Sequence, residues 1–72
     1  MKIQLSQEER PIGYRSFRRK AVWYHSSWST LPEARKERDN EILHGRSATV
    51  VEAYLDRPPK YVIVYNVYSA NN

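Results

Sequence analysis

Apolar residues crowd into three stretches of this chain and fall at helical spacing in a fourth. "KAVWYHSSW", from Lys20 to Trp28, is rich in valine and aromatics and predicts a strand. "SATVVEAYLD" and "KYVIVYNVYS" predict two more, with apolar cores over 49–55 and 61–68. Asp56-Arg57-Pro58-Pro59 between them predicts a hairpin turn, because proline cannot donate to a ladder. "MKIQL" at the start reads as a short edge strand, and Pro11 and Gly13 then break the pattern. "YRSFRR" alternates, with Tyr14, Ser16 and Arg18 on one side and Arg15, Phe17 and Arg19 on the other. That stretch extends the following strand or forms an arm. Ala70-Asn71-Asn72 reads as a frayed end.

"STLPEARKERDNEILHG" carries the helical signals. Thr30 with Glu33 makes a capping box, and Pro32 is tolerated in the first turn. Gly45 is a natural stop, and His44 suits the negative end of the dipole. The prediction is a helix from about Leu31 to His44. Its apolar stripe is thin: Leu31, Ala34, Arg38 and Ile42 share a face, with Arg35 beside them. Arginine stems must therefore cover part of the core.

The expected fold class is α+β: a small antiparallel sheet of three to four strands, ordered β-α-β-β with an extra N-terminal strand, and one helix on one face. All 72 residues are expected to form a single domain, with 1–20 as a basic arm or edge strand. The order of elements fits neither double-stranded-RNA-binding nor RNA-recognition-motif domains. One helix cannot cover two faces. Yet Tyr61, Ile63, Tyr65 and Val67 line one side of the last strand, while Val62, Val64 and Tyr68 line the other. Val51, Ala53 and Leu55 likewise oppose Val50 and Tyr54. Strands apolar on both sides are covered on both. The second cover is either the N-terminal segment or another chain; a homodimer is the expectation, and the alternative is a tyrosine-lined face left partly open, since tyrosine tolerates water at its hydroxyl.

Size sharpens this, since a chain so short buries only about 60% of its unfolded surface. With no cysteine, disulfides and thiolate metal sites are excluded. His25 and His44 are too far apart for a compact metal motif, so no metal or cofactor is expected. The longest apolar run, Tyr61 to Tyr65, is far short of a membrane span, and the start lacks a secretory h-region. The cytoplasm is the expected compartment, with no membrane partner.

Charge then locates candidate chemistry. The formal net charge is +4, and its excess sits in one stretch: Arg10, Arg15, Arg18, Arg19 and Lys20, with no acidic residue from Arg10 to Trp28. Such a segment attracts polyanions. Arg15, Arg18, Arg19 and Lys20 are the expected phosphate contacts, with Tyr14 and Trp23 stacking. The competing reading makes Phe17, Val22 and Trp23 core and the arginines a solvated strand end. On the helix, Glu33, Glu37 and Glu41 stack like charges at i, i+4. They are expected to lie on a solvated face eased by Arg35–Asp39 and Glu33–Lys36 pairs. With Tyr65 and Tyr68 they are the alternative, partner-binding set.

"HSSWST" raises a hydrolase question, which the spacing answers. His25 and Ser26 are neighbours, so along a regular strand they point to opposite faces, and no nearby glycine forms a nucleophile elbow. The exposed, stiff "DRPPK" turn reads as a plain hairpin turn, and two glycines are too few for a phosphate loop. The expected function is binding without catalysis: a nucleic-acid-associated accessory or regulatory protein. The alternatives are a protein-binding inhibitor or adaptor of the kind bacteriophages direct at host factors, and a dimer sequestering an anionic nucleotide.

Overall fold

In the computed structural model, which describes residues 1–70, five strands and one helix follow in the order β1 (Lys2–Ile3), β2 (Tyr14–Phe17), β3 (Lys20–Trp28), α1 (Leu31–Leu43), β4 (Ala48–Arg57) and β5 (Lys60–Ser69). Asn71 and Asn72, at the expected frayed end, lie outside the described residues. The sheet runs β1-β3-β5-β4, and β2 also pairs with β3. The class is α+β, with more strands than the sequence suggested. The addition is β2, which folds back on β3 with Tyr14 opposite Trp23 and Phe17 opposite Lys20. β1 pairs with the other end of β3, through Lys2 with Trp28 and Ile3 with Ser27. Every pairing is antiparallel. β3 and β4 therefore run parallel on either side of β5, joined by the helix.

The register assigns the faces. Ser69 donates a 2.8 Å hydrogen bond to Glu41 of the helix, so its face of β5 carries α1. By alternation Val67, Tyr65, Ile63 and Tyr61 share that face, together with their partners Val50, Glu52, Tyr54 and Asp56 on β4. The opposite face shows Tyr68, Asn66, Val64 and Val62 beside Thr49, Val51, Ala53 and Leu55. There Leu5, only 3% exposed, packs with Leu55 and Val64, and Ile3, Tyr24, Ala53 and Val62 surround them. The N-terminal segment is thus a second cover over β5. The Glu9 carboxylate holds it down by receiving two 2.8 Å hydrogen bonds from the Arg57 guanidinium, which also reaches the Gln4 carbonyl. Burial of Val64 on that face needs no second chain.

Helix termination follows the expected chemistry. Gly45 takes φ +83°, its N–H donates to the Ile42 carbonyl, and the Arg46 N–H donates to Glu41. That pair of bonds is the Schellman arrangement, which needs a residue free to adopt the left-handed region. The start differs. Thr30 has an extended backbone and makes no side-chain bond to a helix N–H. Its hydroxyl donates instead to Glu33 at 2.6 Å, and the same carboxylate binds the Met1 ammonium. A full positive charge from β1 outcompetes the backbone amide for Glu33. The buried stripe also differs by about a quarter turn: Ala34 and Glu41 face inward, while Ile42 and Arg35 are exposed.

This rotation explains the acidic ridge. Ala34 lets the helix approach the sheet closely, and polar clamps on one flank supplement its thin apolar stripe. Glu33 ties to Met1, and Glu41, 7% exposed, ties to Ser69 and lies 3.5 Å from Arg46. The ridge therefore turns towards the β3 side of the sheet and is not a solvated face. Arg38 pairs with its neighbour Asp39, in place of the expected Arg35–Asp39 and Glu33–Lys36 pairs. Among the described residues no helix is long and apolar enough to cross a membrane.

Candidate nucleic-acid interface

The β2–β3 hairpin carries the basic stretch. Its two-residue connection is Arg18-Arg19, with φ values of +50° and +65°. Positive φ at both central positions is the type I′ geometry that matches strand twist, and Asn-Gly is its usual filling. Arginine has a Cβ and no compensating local side-chain bond, so each residue carries strain of order 1 kcal/mol or more. Strand twist forces the conformation, and the residue types oppose it.

The five cations of this region are Arg10, Arg15, Arg18, Arg19 and Lys20, all exposed. Among the described residues none of them has a carboxylate within salt-bridge reach, whereas Arg38, Arg46 and Arg57 each do. Two rest on aromatic rings instead: the Arg15 guanidinium lies 5.4 Å from the Tyr68 ring centroid, and that of Arg18 lies 5.1 Å from Phe17. Cation–π contacts orient a guanidinium without neutralising it. Their charge remains available to an anion.

Tyr14 and Trp23 face each other across the β2–β3 ladder, with ring centroids 6.2 Å apart and planes tilted by 53°. Tyr14 is 67% exposed and Trp23 39%. Trp23 is not core; its strand neighbour Val22, fully buried on the opposite face, is. Phe17 is half-buried. The predicted residues thus occupy one hairpin in three settings. Tyr14 and Trp23 stand on the helix-side face, Arg15 lies on the other face over Tyr68, and Arg18 and Arg19 form the tip with Lys20 beside them. The alternative set is dispersed. Tyr68 is buried and stacked edge-on against Tyr24, Tyr65 is half-buried, and Glu33, Glu37 and Glu41 turn towards β3 and β1.

A second constellation joins residues that sequence reasoning kept apart. The β3–β5 register slips between Tyr24 and Ser26, making His25 the extra residue of a β-bulge. The bulge cancels the strict alternation, and His25 Nδ1 comes to 3.0 Å from the Ser26 hydroxyl. His25 Nε2 lies 3.8 Å from both Glu37 and Glu41, and these three side chains place donor atoms within 4.8 Å of one another. No pattern in the sequence marks a bulge, so the only earlier signal was the i, i+4 spacing of the two glutamates. Chemically the group is a polar clamp between helix and sheet. Glu41 accepts from Ser69, which holds its carboxyl below the ordinary value, and His25, Arg46 and His44 add to this. Ser26 is buried, and its oxygen also accepts the Trp28 indole N–H at 2.9 Å.

No family model, curated protein or solved structure matches the chain.

Proposed function

We propose that this chain is a small non-enzymatic, nucleic-acid-associated accessory or regulatory protein of the cytoplasm that works through the β2–β3 hairpin. The observation that carries the reading is the tip. Two arginines occupy strained left-handed positions with no carboxylate partner, where asparagine and glycine would be more stable. Strain kept at an exposed loop supports a role for the side chains themselves.

Arg15, Arg18, Arg19 and Lys20 neutralise phosphates and release condensed counterions, which supplies affinity without reading sequence. Tyr14 and Trp23 offer exposed ring surface beside them, on which unpaired bases stack. Because those two rings lie on one face of the hairpin and Arg15 on the other, the strand passes around the tip. The expected binding is salt-sensitive and tolerant of sequence.

The test is fluorescence anisotropy with labelled single- and double-stranded oligonucleotides over a salt series. Replacing Arg15, Arg18 and Arg19 with Gln should leave the fold intact, since exposed charges contribute little to stability. The slope of log affinity against log salt should shrink by roughly two to three units on a duplex. If no oligonucleotide binds in a salt-sensitive way at low ionic strength, the reading is wrong and a protein partner takes its place.

A further inference from the structure

We infer that β4 is a dimerisation edge, where a second copy of this chain pairs antiparallel with it about a two-fold axis perpendicular to the sheet. The two edges of the sheet differ in kind. One is divided between β1 and β2, which are two and four residues long and separated by a break. The other is β4, ten residues in unbroken register with β5 from Ala48 to Arg57. Among the described residues no strand lies on its outer side. Natural edges are usually blunted by charged side chains, above all lysine, or by proline, a bulge or short length. β4 has no lysine, proline or bulge within its span; its charges are Glu52 and, at the hairpin end, Asp56 and Arg57, and between them it presents Val50, Val51, Ala53, Tyr54 and Leu55.

What selects a second copy is the placement of exposed apolar residues at the two ends of this strand, on one face. Near the hairpin end, where the sheet extends past the helix, Tyr54 is 64% exposed, Tyr61 73% and Ile63 46%. At the opposite end, beside Ala48, the helix flank carries Ile42, 51% exposed, in a groove lined also by Phe17 and Arg18 of the β2–β3 hairpin and by Arg38, Asp39 and Thr49. A two-fold axis through the middle of β4 keeps both helices on the same side and exchanges the strand ends. Each Tyr54–Ile63–Tyr61 patch then meets the partner's helix flank. Charge agrees with this. Glu52 and Asp56 are exposed on the helix-side face of β4, while Arg38 and Arg46 line the groove that would approach them. The pairing is isologous and consumes the only long edge, so it closes at a dimer and does not grow into a fibre.

Light scattering after size exclusion should give about twice 8.6 kDa, and the melting temperature should rise with protein concentration. Ile42→Glu and Tyr54→Glu each place a carboxylate in the proposed contact. Each should weaken the dimer about tenfold or more while preserving the far-UV dichroism. Hydrogen exchange on the unaltered protein gives an independent reading: β4 amides should gain protection as concentration rises, and β2 amides should not. A monomer at every concentration overturns the inference. So does a dimer that survives both substitutions, an assembly larger than two, or β4 exchange indifferent to concentration.

Discussion

The two hairpins of this protein are built to opposite specifications. β4 and β5 pair over ten residues each, in continuous register, and turn through Pro58-Pro59. They contribute Leu55 and Val64 to the core. β2 and β3 pair over four positions and turn through two strained arginines. β2 buries no residue fully, and its charges are left without carboxylate partners. The long hairpin stabilises the fold, and the short one spends some of that stability on displaying cations. In so small a domain such a division keeps the surface proposed for binding away from residues whose loss would unfold the chain.

The largest expected effect breaks the long hairpin. Val64 is fully buried between Leu5 and Leu55, so Val64→Asp places an unpaired carboxylate in the core. That costs several kcal/mol, comparable to the whole stability of a domain this size. Far-UV dichroism should show an unfolded chain at neutral pH. A native spectrum with a cooperative melt would show that the core lies elsewhere.

Next comes Trp23→Ala, which separates display from packing. A tryptophan in a core costs about 3–5 kcal/mol on truncation. Half-exposed Trp23 should cost about 1 kcal/mol or less in a thermal melt, while oligonucleotide affinity falls by about 1–3 kcal/mol through lost stacking. A large stability loss with unchanged affinity would reverse the assignment.

Rewriting the short turn sharpens the comparison further. Arg18→Asn with Arg19→Gly suits the type I′ geometry and should stabilise the protein by about 1–2 kcal/mol. The same change removes two cations, so affinity should fall and the salt slope on a duplex should shrink by about two units. Opposite signs in the two assays identify strain kept for binding. A destabilised protein would mean that Arg18 packs on Phe17 more strongly than the backbone resists.

The smallest effect concerns acid. Glu9 is held down to about 2, against an ordinary value of 4.5, chiefly by the Arg57 hydrogen bonds and then by the Ser6 N–H. Glu33 is lowered by the Met1 ammonium first and Thr30 second, and Glu41 by Ser69. A depressed carboxyl binds its proton more weakly in the folded state than in the unfolded one. Its stabilisation is complete above about 4.5 and fades as pH falls, for Glu9 until about 2. Glu9→Gln should leave a shallower loss of melting temperature across that window. An unchanged acid profile would show that the Glu9–Arg57 clasp does not hold the N-terminal segment in solution.

Much of the fold was legible in the chain. β3 is the stretch Lys20–Trp28, the helix starts at Leu31 and stops before Gly45, and the last two strands meet at Pro58-Pro59. These features are local: β-branched and aromatic runs, a glycine able to take φ +83°, and prolines that cannot continue a ladder. The basic stretch was equally plain, because charge is additive along a sequence.

Tertiary structure decided what depends on partners distant in sequence. The bulge that brings His25 to Glu37 and Glu41 arises from the fit of β3 against β5, and neither strand encodes it alone. Thr30 yields its capping role because its hydroxyl donates to Glu33, which the Met1 ammonium, distant in sequence, holds from the other side. Trp23 lies half open and Val22 is sealed because one face of β3 packs Tyr24 against Tyr68 of β5, while the helix passes beside the other without covering its end. Leu5 becomes core only where Arg57 and Glu9 clasp the segment that holds it. A residue's propensity is written in its own side chain, but its burial is set by which strangers the fold places against it.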